Sequence, residues 1–247
     1  MKSLVIDIGN SLTKIAVFNN KKIVFLVKVD DLIDVDINSV VDKHQIQKII
    51  VSSVRNTVEH SLSALAKKIE IFFFNSQTKT PIKNHYQNPQ TLGLDRLAAV
   101  VGAKTLHNNN AVLVIDAGTC ITYDFVDESS NYNGGSISPG INMRLKALNQ
   151  QTGKLPLVAF DATFSEQFGA NTQQAILSGV INGVLAEVKG FIESYILLYA
   201  DLKIILCGGD APFFDTRFKN SIFAKQVISQ PNLVLIGLNT IVNYKND

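Results

Sequence analysis

Short runs of β-branched apolar residues that stop at a polar turn form the clearest pattern along this chain. The segment Leu4–Thr13 aligns without gaps on Leu113–Thr122, and six of the ten positions are identical. Each copy has an apolar run, then an Asp-x-Gly break, and then apolar residues at alternating positions. This pattern predicts a strand, a tight turn and a second strand. Because 109 residues separate Asp7 from Asp116, we predict two halves of similar construction.

Strand and helix patterns alternate through the rest of the chain, which predicts an α/β fold. With no low-complexity linker, we expect the halves to pack around a cleft. The boundary is placed in the polar run His107–Asn110, giving an N-terminal half of residues 1–110 and a C-terminal half of residues 111–247. The predicted elements outside the hairpins are strands Lys48–Val54, Ile69–Phe74 and Lys203–Cys207, helices Ser61–Lys68, Asp95–Leu106 and Thr172–Tyr199, a Gly208-Gly209 turn, and a last helix from about Leu238.

Composition narrows the class of protein. A hydrophobic fraction of 46% and a charged fraction of 18% are typical of a soluble globular protein. The net charge of +2 is too small to favour a nucleic-acid partner. The widely spaced Cys120 and Cys207 indicate reduced thiols. Asp7 interrupts the N-terminal apolar run, and Asp201 and Lys203 interrupt the apolar stretch Tyr195–Cys207, so we expect a cytoplasmic protein with no signal peptide or membrane span.

The Asp-x-Gly turns indicate nucleotide chemistry. Glycine exposes backbone N–H groups that can hold phosphate oxygens. An aspartate beside a phosphate requires a bridging cation, which predicts Mg²⁺. The alternative is a duplication kept only for packing, which leaves the two aspartates unexplained. The turn Gly208-Gly209-Asp210 follows a predicted buried strand; it could form a flat surface for adenine or ribose, or be a plain strand-to-helix turn.

The acceptor of a phosphoryl group needs a base beside it, and a candidate precedes an alanine-rich helix. Asp95 and Arg96 lie in the predicted first turn, where Asp95 could accept a hydroxyl proton and Arg96 could hold an anion. Alternatively, Asp95 caps the helix and Arg96 forms a surface ion pair.

The segment Gly134–Gly140 is predicted as a glycine-dense turn, and Asn171 as the N-cap of the long helix. No metal-ligand spacing involves the four histidines.

Taken in order, these motifs resemble the type III pantothenate kinase family of the acetate/sugar kinase, Hsp70 and actin superfamily. The resemblance covers nearly the whole chain. Its carriers are Asp7 to Ser11, Tyr86 with Asn88-Pro89, Gly93 to Arg96, Asp116 to Thr119, Gly134 to Gly140, Asn171-Thr172 and Gly208 to Asp210.

The resemblance implies duplicated ribonuclease-H-like halves, an actin-like ATPase fold, and ATP-dependent phosphorylation of pantothenate to 4′-phosphopantothenate, the first step of coenzyme A biosynthesis. It assigns Asp95 as the proton acceptor, Asp7 to Mg²⁺ through the phosphates, and Asp116 to a monovalent cation, K⁺ or NH₄⁺. It also implies a homodimer. The implied ATP contacts are Asp7, Ile8, Gly9, Asn10, Ser11, Leu12, Thr13, Lys14 and Thr119, and the implied pantothenate contacts are Tyr86, Gly93, Leu94, Asp95, Arg96 and Thr172.

Two other functions remain compatible with the sequence. Ser11 and Lys14 also occur in a subset of the family that includes the Bvg accessory factor, a relative linked to transcriptional regulation, so a binding protein without turnover is one alternative. A kinase of the same superfamily with another acceptor is the second. Cys120 stands where the family often has alanine, a small change that should fit.

Overall fold

The protein is a mixed α/β structure with two sheets. The computed structural model describes residues 1–9, 12–53, 62, 65–219 and 221–244. Two compact units share the chain: the first comprises Met1–Asn108, Ser130–Tyr132 and Asn232–Asp247, and the second comprises Asn109–Ser129 and Asn133–Pro231. The predicted division after residue 110 differs from these units chiefly at the C-terminal segment, which groups with the first unit.

The first unit is built on a five-stranded sheet in the order β3-β2-β1-β4-β5. Strands β1, β2 and β3 form an antiparallel meander, and β4 and β5 run parallel to β1. The central strand, β1, contains the apolar run Leu4, Val5 and Ile6, which has no exposed surface and lies at the core of this sheet. The strands are β1 (Lys2–Ile8), β2 (Thr13–Asn19), β3 (Lys22–Val29), β4 (Lys48–Ser53) and β5 (Glu70–Phe73).

Three helices of eight or more residues belong to the described part of the first unit: α1 (Ile37–His44), α2 (Leu94–Leu106) and α6 (Leu233–Asn243). Helices α2 and α6 pack closely because a glycine lies at their contact. A Cβ atom on Gly237 would stand 1.8 Å from the carbonyl oxygen of Ala98. This contact fixes α2, whose first turn carries Asp95. A short strand, β6 (Lys83–Asn84), pairs in parallel with Asn131 and Tyr132 of the same unit.

The second unit repeats the same plan. Its strands lie in the order β9-β8-β7-β10-β11, with β7 and β8 antiparallel and with β10 and β11 parallel to β7. The strands are β7 (Val112–Ala117), β8 (Cys120–Val126), β9 (Asn131–Pro139), β10 (Lys203–Cys207) and β11 (Val227–Ser229), and the helices are α3 (Ile141–Gln150), α4 (Thr172–Ile196) and α5 (Ala211–Phe218). The first two residues of β9, Asn131 and Tyr132, group with the first unit. The matching strand order in both units supports the duplication predicted from the repeat.

Most predicted elements are confirmed, with shifted ends. Both hairpins form, β10 has its predicted bounds, and α4 ends at Ile196 instead of Tyr199. The last helix begins five residues before the predicted Leu238, at Leu233. Val54, Ser61, Ser63 and Ala64 lie outside the described residues. In the described part of the predicted helix Ser61–Lys68, Leu65–Lys67 forms a short 3-10 helix.

The segment Gly134–Gly140 was predicted as a turn, and that prediction is wrong. Its residues up to Pro139 belong to strand β9, and only Gly140 forms a corner, as the N-cap of α3. Glycine is needed within the strand for close packing, because a Cβ atom on Gly135 would stand 2.0 Å from the carbonyl oxygen of Tyr123.

Within the described chain, one helix is long and apolar enough to cross a membrane by length and composition alone. It is α4, and the same test is passed by core helices of soluble proteins. The residues of α4 that pack against the rest of the second unit are buried, including Ile181, Val184 and Val188. The helix is therefore weak evidence for a membrane span.

Candidate active site

The first hairpin places Asp7 directly opposite Lys14 and Ile8 opposite Thr13. The backbone N–H of Gly9 donates to the carbonyl oxygen of Leu12 at 3.1 Å and closes the turn. Four residues, Gly9 to Leu12, therefore connect the strands. Asn10 and Ser11, both predicted to contact ATP, lie outside the described residues.

The second hairpin has a shorter turn. Asp116 lies opposite Thr122 and Ala117 lies opposite Ile121. The N–H of Gly118 donates to the carbonyl oxygen of Cys120 at 2.9 Å, so three residues stand between the last pair. The gapless sequence alignment therefore conceals a pairing register that differs by one residue. Such a slip moves side chains to the opposite face of the second strand.

Backbone from two other segments lies against this second turn. The N–H of Gly140 donates to the carbonyl oxygen of Thr119 at 3.1 Å, and a Cβ atom on Gly140 would stand 2.1 Å from the carbonyl oxygen of Gly118. On the other side, Gly208 has φ of +91°, and a Cβ atom there would stand 2.4 Å from Oδ1 of Asp116. The two other glycine-containing segments singled out in the second half, Gly134–Gly140 and Gly208 to Asp210, thus meet the Asp116–Cys120 turn.

Each hairpin contains a buried threonine hydroxyl that lacks a hydrogen-bond partner within the described chain. These are Oγ1 of Thr13 and Oγ1 of Thr122, which align in the sequence repeat although their pairing registers differ by one residue. Unpartnered buried hydroxyls are unusual in proteins. Because Thr122 lies opposite Asp116, the second turn offers carboxylate, hydroxyl and backbone oxygens together. Oxygen donors of this kind fit a hard cation.

The predicted acceptor residues meet at the start of α2. Gly93 is the N-cap of this helix, and the exposed Asp95 accepts through Oδ1 a hydrogen bond from the N–H of Arg96 at 2.8 Å. Arg96 is only 6% exposed, and its guanidinium carbon lies 5.8 Å from the centre of the Tyr86 ring, a cation–π distance. The alternative that Arg96 is a surface ion pair is therefore wrong. Leu94, at the first position of α2, is half-buried.

Thr172 is the exposed first residue of α4. The preceding Asn171 is the N-cap, as predicted, and its Oδ1 accepts from the N–H of Gln174 at 3.0 Å. Thr172 lies far from a cluster of polar side chains around Glu187, which is further along the same helix. Glu187 follows it by 15 positions, or about 22 Å at 1.5 Å per residue.

That cluster surrounds Glu187, a residue to which the sequence assigned no role. Its Oε1 accepts from the hydroxyl of Tyr123 at 2.8 Å and from the hydroxyl of Ser138 at 2.5 Å. Its Oε2 accepts from Nη2 of Arg144 at 2.6 Å. One carboxylate thus connects strands β8 and β9 with helices α3 and α4. The available signal was an acid placed directly between Ala186 and Val188 in an apolar stretch of the predicted helix, a setting in which a charge is usually paired.

Tyr123 and Glu187 in the cluster, and Asp210 beside the second turn, have shifted pKa values. Burial acts to raise the pKa of Glu187, but the hydrogen bonds from Ser138, Arg144 and Tyr123 outweigh it and hold this pKa below its ordinary value. The pKa of Tyr123 is raised, first by burial and then by the adjacent Glu187 carboxylate. Burial alone raises the pKa of Asp210, whose N–H donates to the carbonyl oxygen of Ala117.

A cavity of about 560 Å³ in the first unit is separate from these groups. Its walls include Asn20, Lys104 and Asn243. Because Asn19 pairs with Lys2 while Thr13 pairs with Ile8, Asn20 lies at the end of the first hairpin opposite its Gly9 turn. None of the predicted site residues lines the cavity, so its size carries no argument about the reaction.

Comparison with known proteins decides the family. A sequence model described as type III pantothenate kinase matches residues 3–194 of this chain. The chain belongs to the type III pantothenate kinase family. It is therefore an enzyme of the kinase class, and the alternative of a purely regulatory protein is not favoured.

Individual relatives agree with this assignment. A type III pantothenate kinase from Bacteroides fragilis is 42% identical over 245 residues, which cover 99% of this chain and 98% of the relative. Among solved structures, a protein from Campylobacter jejuni described as a Baf family transcriptional activator is 25% identical, with a TM-score of 0.63 and 97% of each chain covered.

A more distant structural likeness shows the fold alone. An activator of 2-hydroxyisocaproyl-CoA dehydratase from Clostridium difficile, solved with bound ADPNP, is 11% identical with a TM-score of 0.54, over 98% of this chain and 95% of that one. The predicted fold class is confirmed by neighbours of this kind, which have actin-like ATPase and sugar kinase folds.

Proposed function

We propose that this chain transfers the γ-phosphoryl group of ATP to the primary hydroxyl of pantothenate, giving 4′-phosphopantothenate in the first step of coenzyme A biosynthesis. Membership of the type III pantothenate kinase family is the observation that carries this proposal. The grouping of Asp95, Arg96 and Tyr86 at one helix start supports it, because an acceptor site needs a base and an anion-binding group side by side.

Asp95 accepts the hydroxyl proton of pantothenate as the phosphoryl group is transferred. Its side chain is exposed, while Oδ1 is oriented by the N–H of Arg96, so the carboxylate is held without being removed from solvent. The buried Arg96 supplies a fixed positive charge that suits the pantothenate carboxylate. Tyr86, Gly93, Leu94 and Thr172 complete the proposed pantothenate contacts.

ATP phosphates are held by the two turns. In the first turn the proposed contacts run from Asp7 to Lys14, and these two residues lie opposite each other on the paired strands. In the second turn Thr119 contacts ATP. Glycine has no side chain, so phosphate oxygens can approach the backbone of these turns closely.

Two cations fit the donor sets of these turns. Mg²⁺ would bind together with ATP, and Asp7 would interact with it through the phosphates. The ion would neutralise the charge of the transferred phosphoryl group. A monovalent cation, K⁺ or NH₄⁺, would be held at Asp116, and the adjacent unpartnered hydroxyl of Thr122 supports an oxygen-donor site there. We further propose that the enzyme is cytoplasmic and works as a homodimer.

A coupled assay of ADP release tests the reaction. We expect turnover that requires pantothenate and is stimulated by K⁺ or NH₄⁺ over Na⁺ at equal ionic strength. ADP release that proceeds equally without pantothenate, or that responds only to a different alcohol, would show that the acceptor is wrong. Binding of ATP with no turnover under any of these conditions would favour the regulatory alternative.

A further inference from the structure

The Glu187 cluster connects a helix to the second turn through an unbroken series of polar contacts. Glu187 binds Nη2 of Arg144 at 2.6 Å, and Nε of the same guanidinium donates to the carbonyl oxygen of Pro139 at 2.8 Å. The next residue, Gly140, donates its N–H to the carbonyl oxygen of Thr119 at 3.1 Å. Four residues beyond Glu187, Phe191 stacks on the Tyr123 ring at 3.9 Å between centroids.

The Pro139–Gly140 corner has little freedom to move independently of the turn. A Cβ atom on Gly140 would lie 2.1 Å from the carbonyl oxygen of Gly118 and 2.5 Å from that of Thr119. A shift of the corner therefore displaces the backbone of the turn or breaks its hydrogen bond. The corner itself is held by Arg144, whose side chain is 23% exposed, against Glu187 at 26%.

We propose that Glu187 is a positioning residue for ATP: acting through Arg144 and the Pro139–Gly140 corner, it fixes the backbone of Gly118 and Thr119. The inference rests on the proposed contact between Thr119 and ATP. It adds to that contact a residue which touches neither substrate and which sets the geometry of the nucleotide-binding turn.

The chemistry of the pair suits this role. A guanidinium is a planar fork that can donate to a carboxylate and a carbonyl at once, whereas an ammonium is a point charge on a flexible stem. Arg144→Lys therefore keeps the charge but loses one of the two contacts. In Glu187→Gln, an NH₂ group takes the place of one carboxylate oxygen. If the NH₂ group replaces Oε2, it faces Nη2 of Arg144, which is also a donor. If the amide is rotated so that its oxygen accepts from Arg144, the NH₂ group faces the hydroxyls of Tyr123 and Ser138, which donate to the carboxylate in the wild type.

Steady-state kinetics of the full-length enzyme, with thermal denaturation of the same samples, test the proposal. We expect E187Q and R144K each to raise the KM for ATP about tenfold, the scale of one lost charged hydrogen bond. The KM for pantothenate should stay within about twofold. Tyr123→Phe removes a hydroxyl outside the path to Pro139, so it should leave the KM for ATP within about twofold.

Two further variants separate positioning from simple destabilisation. Phe191→Leu weakens packing on the same Tyr123 ring without touching the polar contacts, so it should lower the melting temperature and leave the KM for ATP unchanged. Thr119→Ala should raise the KM for ATP, because it removes the proposed contact itself.

The outcomes distinguish the two ideas. A normal KM for ATP in E187Q and R144K, together with a raised KM in T119A, overturns the positioning role and leaves the proposed role of Thr119 intact. A normal KM in T119A refutes the Thr119 contact, and the positioning role then fails with it whatever E187Q shows. An increase in F191L as large as that in E187Q would mean that lost stability explains both.

Discussion

Asp116 lies directly opposite Thr122 in the second hairpin, whereas its counterpart Asp7 lies opposite Lys14 in the first. Residues that lie opposite each other on neighbouring strands point to the same face of the sheet. Asp116 therefore shares its face with a threonine, whereas Asp7 shares its face with a lysine. Carboxylate and hydroxyl oxygens are both ligands that a hard cation takes, so the second hairpin supports the proposed assignment of the monovalent cation to Asp116.

Replacing Asp116 with Asn should abolish the specific stabilisation by K⁺ or NH₄⁺. A bound ion stabilises the folded protein by mass action, so KCl should raise the wild-type melting temperature more than NaCl at equal ionic strength. Differential scanning fluorimetry of wild type, D116N and the matched control Asp7→Asn measures this difference. D7N should keep the K⁺ effect. An unchanged K⁺ effect in D116N, or its loss in D7N alone, would contradict the assignment.

Replacing Thr122 with Val in Na⁺ buffer should raise the free energy of unfolding by about 1 kcal/mol, because a buried hydroxyl without a partner costs roughly 1–3 kcal/mol. Val has nearly the same shape as Thr. Urea denaturation measures the change, and Thr13→Val, at the equivalent position, should behave alike. If T122V instead lowers stability in Na⁺, the hydroxyl has a partner. If T122V also loses the K⁺ effect, Thr122 contacts the ion.

The hairpins and the long helix could be predicted because their signals are local. Asp-x-Gly after a β-branched run specifies a strand and a turn within ten residues. The pairing register could not be predicted in the same way. It depends on whether three or four residues form the turn, and the gapless alignment of Leu4–Thr13 on Leu113–Thr122 conceals that difference.

The unpredicted parts of the site depend on contacts between distant positions. Glu187 meets Tyr123, Ser138 and Arg144, which lie 64, 49 and 43 residues away along the chain. Arginine side chains are mostly exposed in proteins, so the sequence alone does not predict that Arg96 is buried. In the structure it is buried, and its guanidinium lies over the ring of Tyr86, a residue outside helix α2.

Replacing Asp95 with Asn should lower kcat by about 10²–10⁴, the usual contribution of a general base. Asn keeps an acceptor for the N–H of Arg96, so the melting temperature and the KM for ATP should change little. Rapid-quench or coupled assays of ADP formation measure kcat. Normal turnover of pantothenate by D95N would show that another group takes the proton.

Replacing Gly93 with Ala should also lower kcat, by less than Asp95→Asn does, while the Asp95 carboxylate itself is retained. Gly93 has φ of −58°, which alanine adopts readily. The added Cβ would stand 2.6 Å from Oδ1 of Asp95, so the carboxylate must move. We expect a lower kcat with an intact fold, measured beside Gly153→Ala, where nothing lies within 4 Å of an added Cβ. Equal kcat values in the two variants would mean that the position of Asp95 is unimportant.

Acid should destabilise the wild type more steeply than the Glu187→Gln variant. The folded-state pKa of Glu187 lies below its ordinary value of 4.5, so the unfolded chain binds the proton first as pH falls. The stabilisation from this carboxylate is therefore complete well above pH 4.5 and is lost as pH falls through the folded-state pKa. E187Q should be less stable than wild type at pH 7, and the gap should narrow below about pH 4.5.

Urea denaturation at a series of pH values measures this narrowing, and Glu193→Gln on the same helix is the matched control. Glu193 forms only an exposed pair with Lys189 at 3.7 Å, and such pairs contribute little, so E193Q should follow the wild-type curve. The hydroxyls of Tyr123 and Ser138 and the guanidinium of Arg144 face the carboxylate in the folded state. Parallel curves for wild type and E187Q would show that these three contacts do not favour the ionised form.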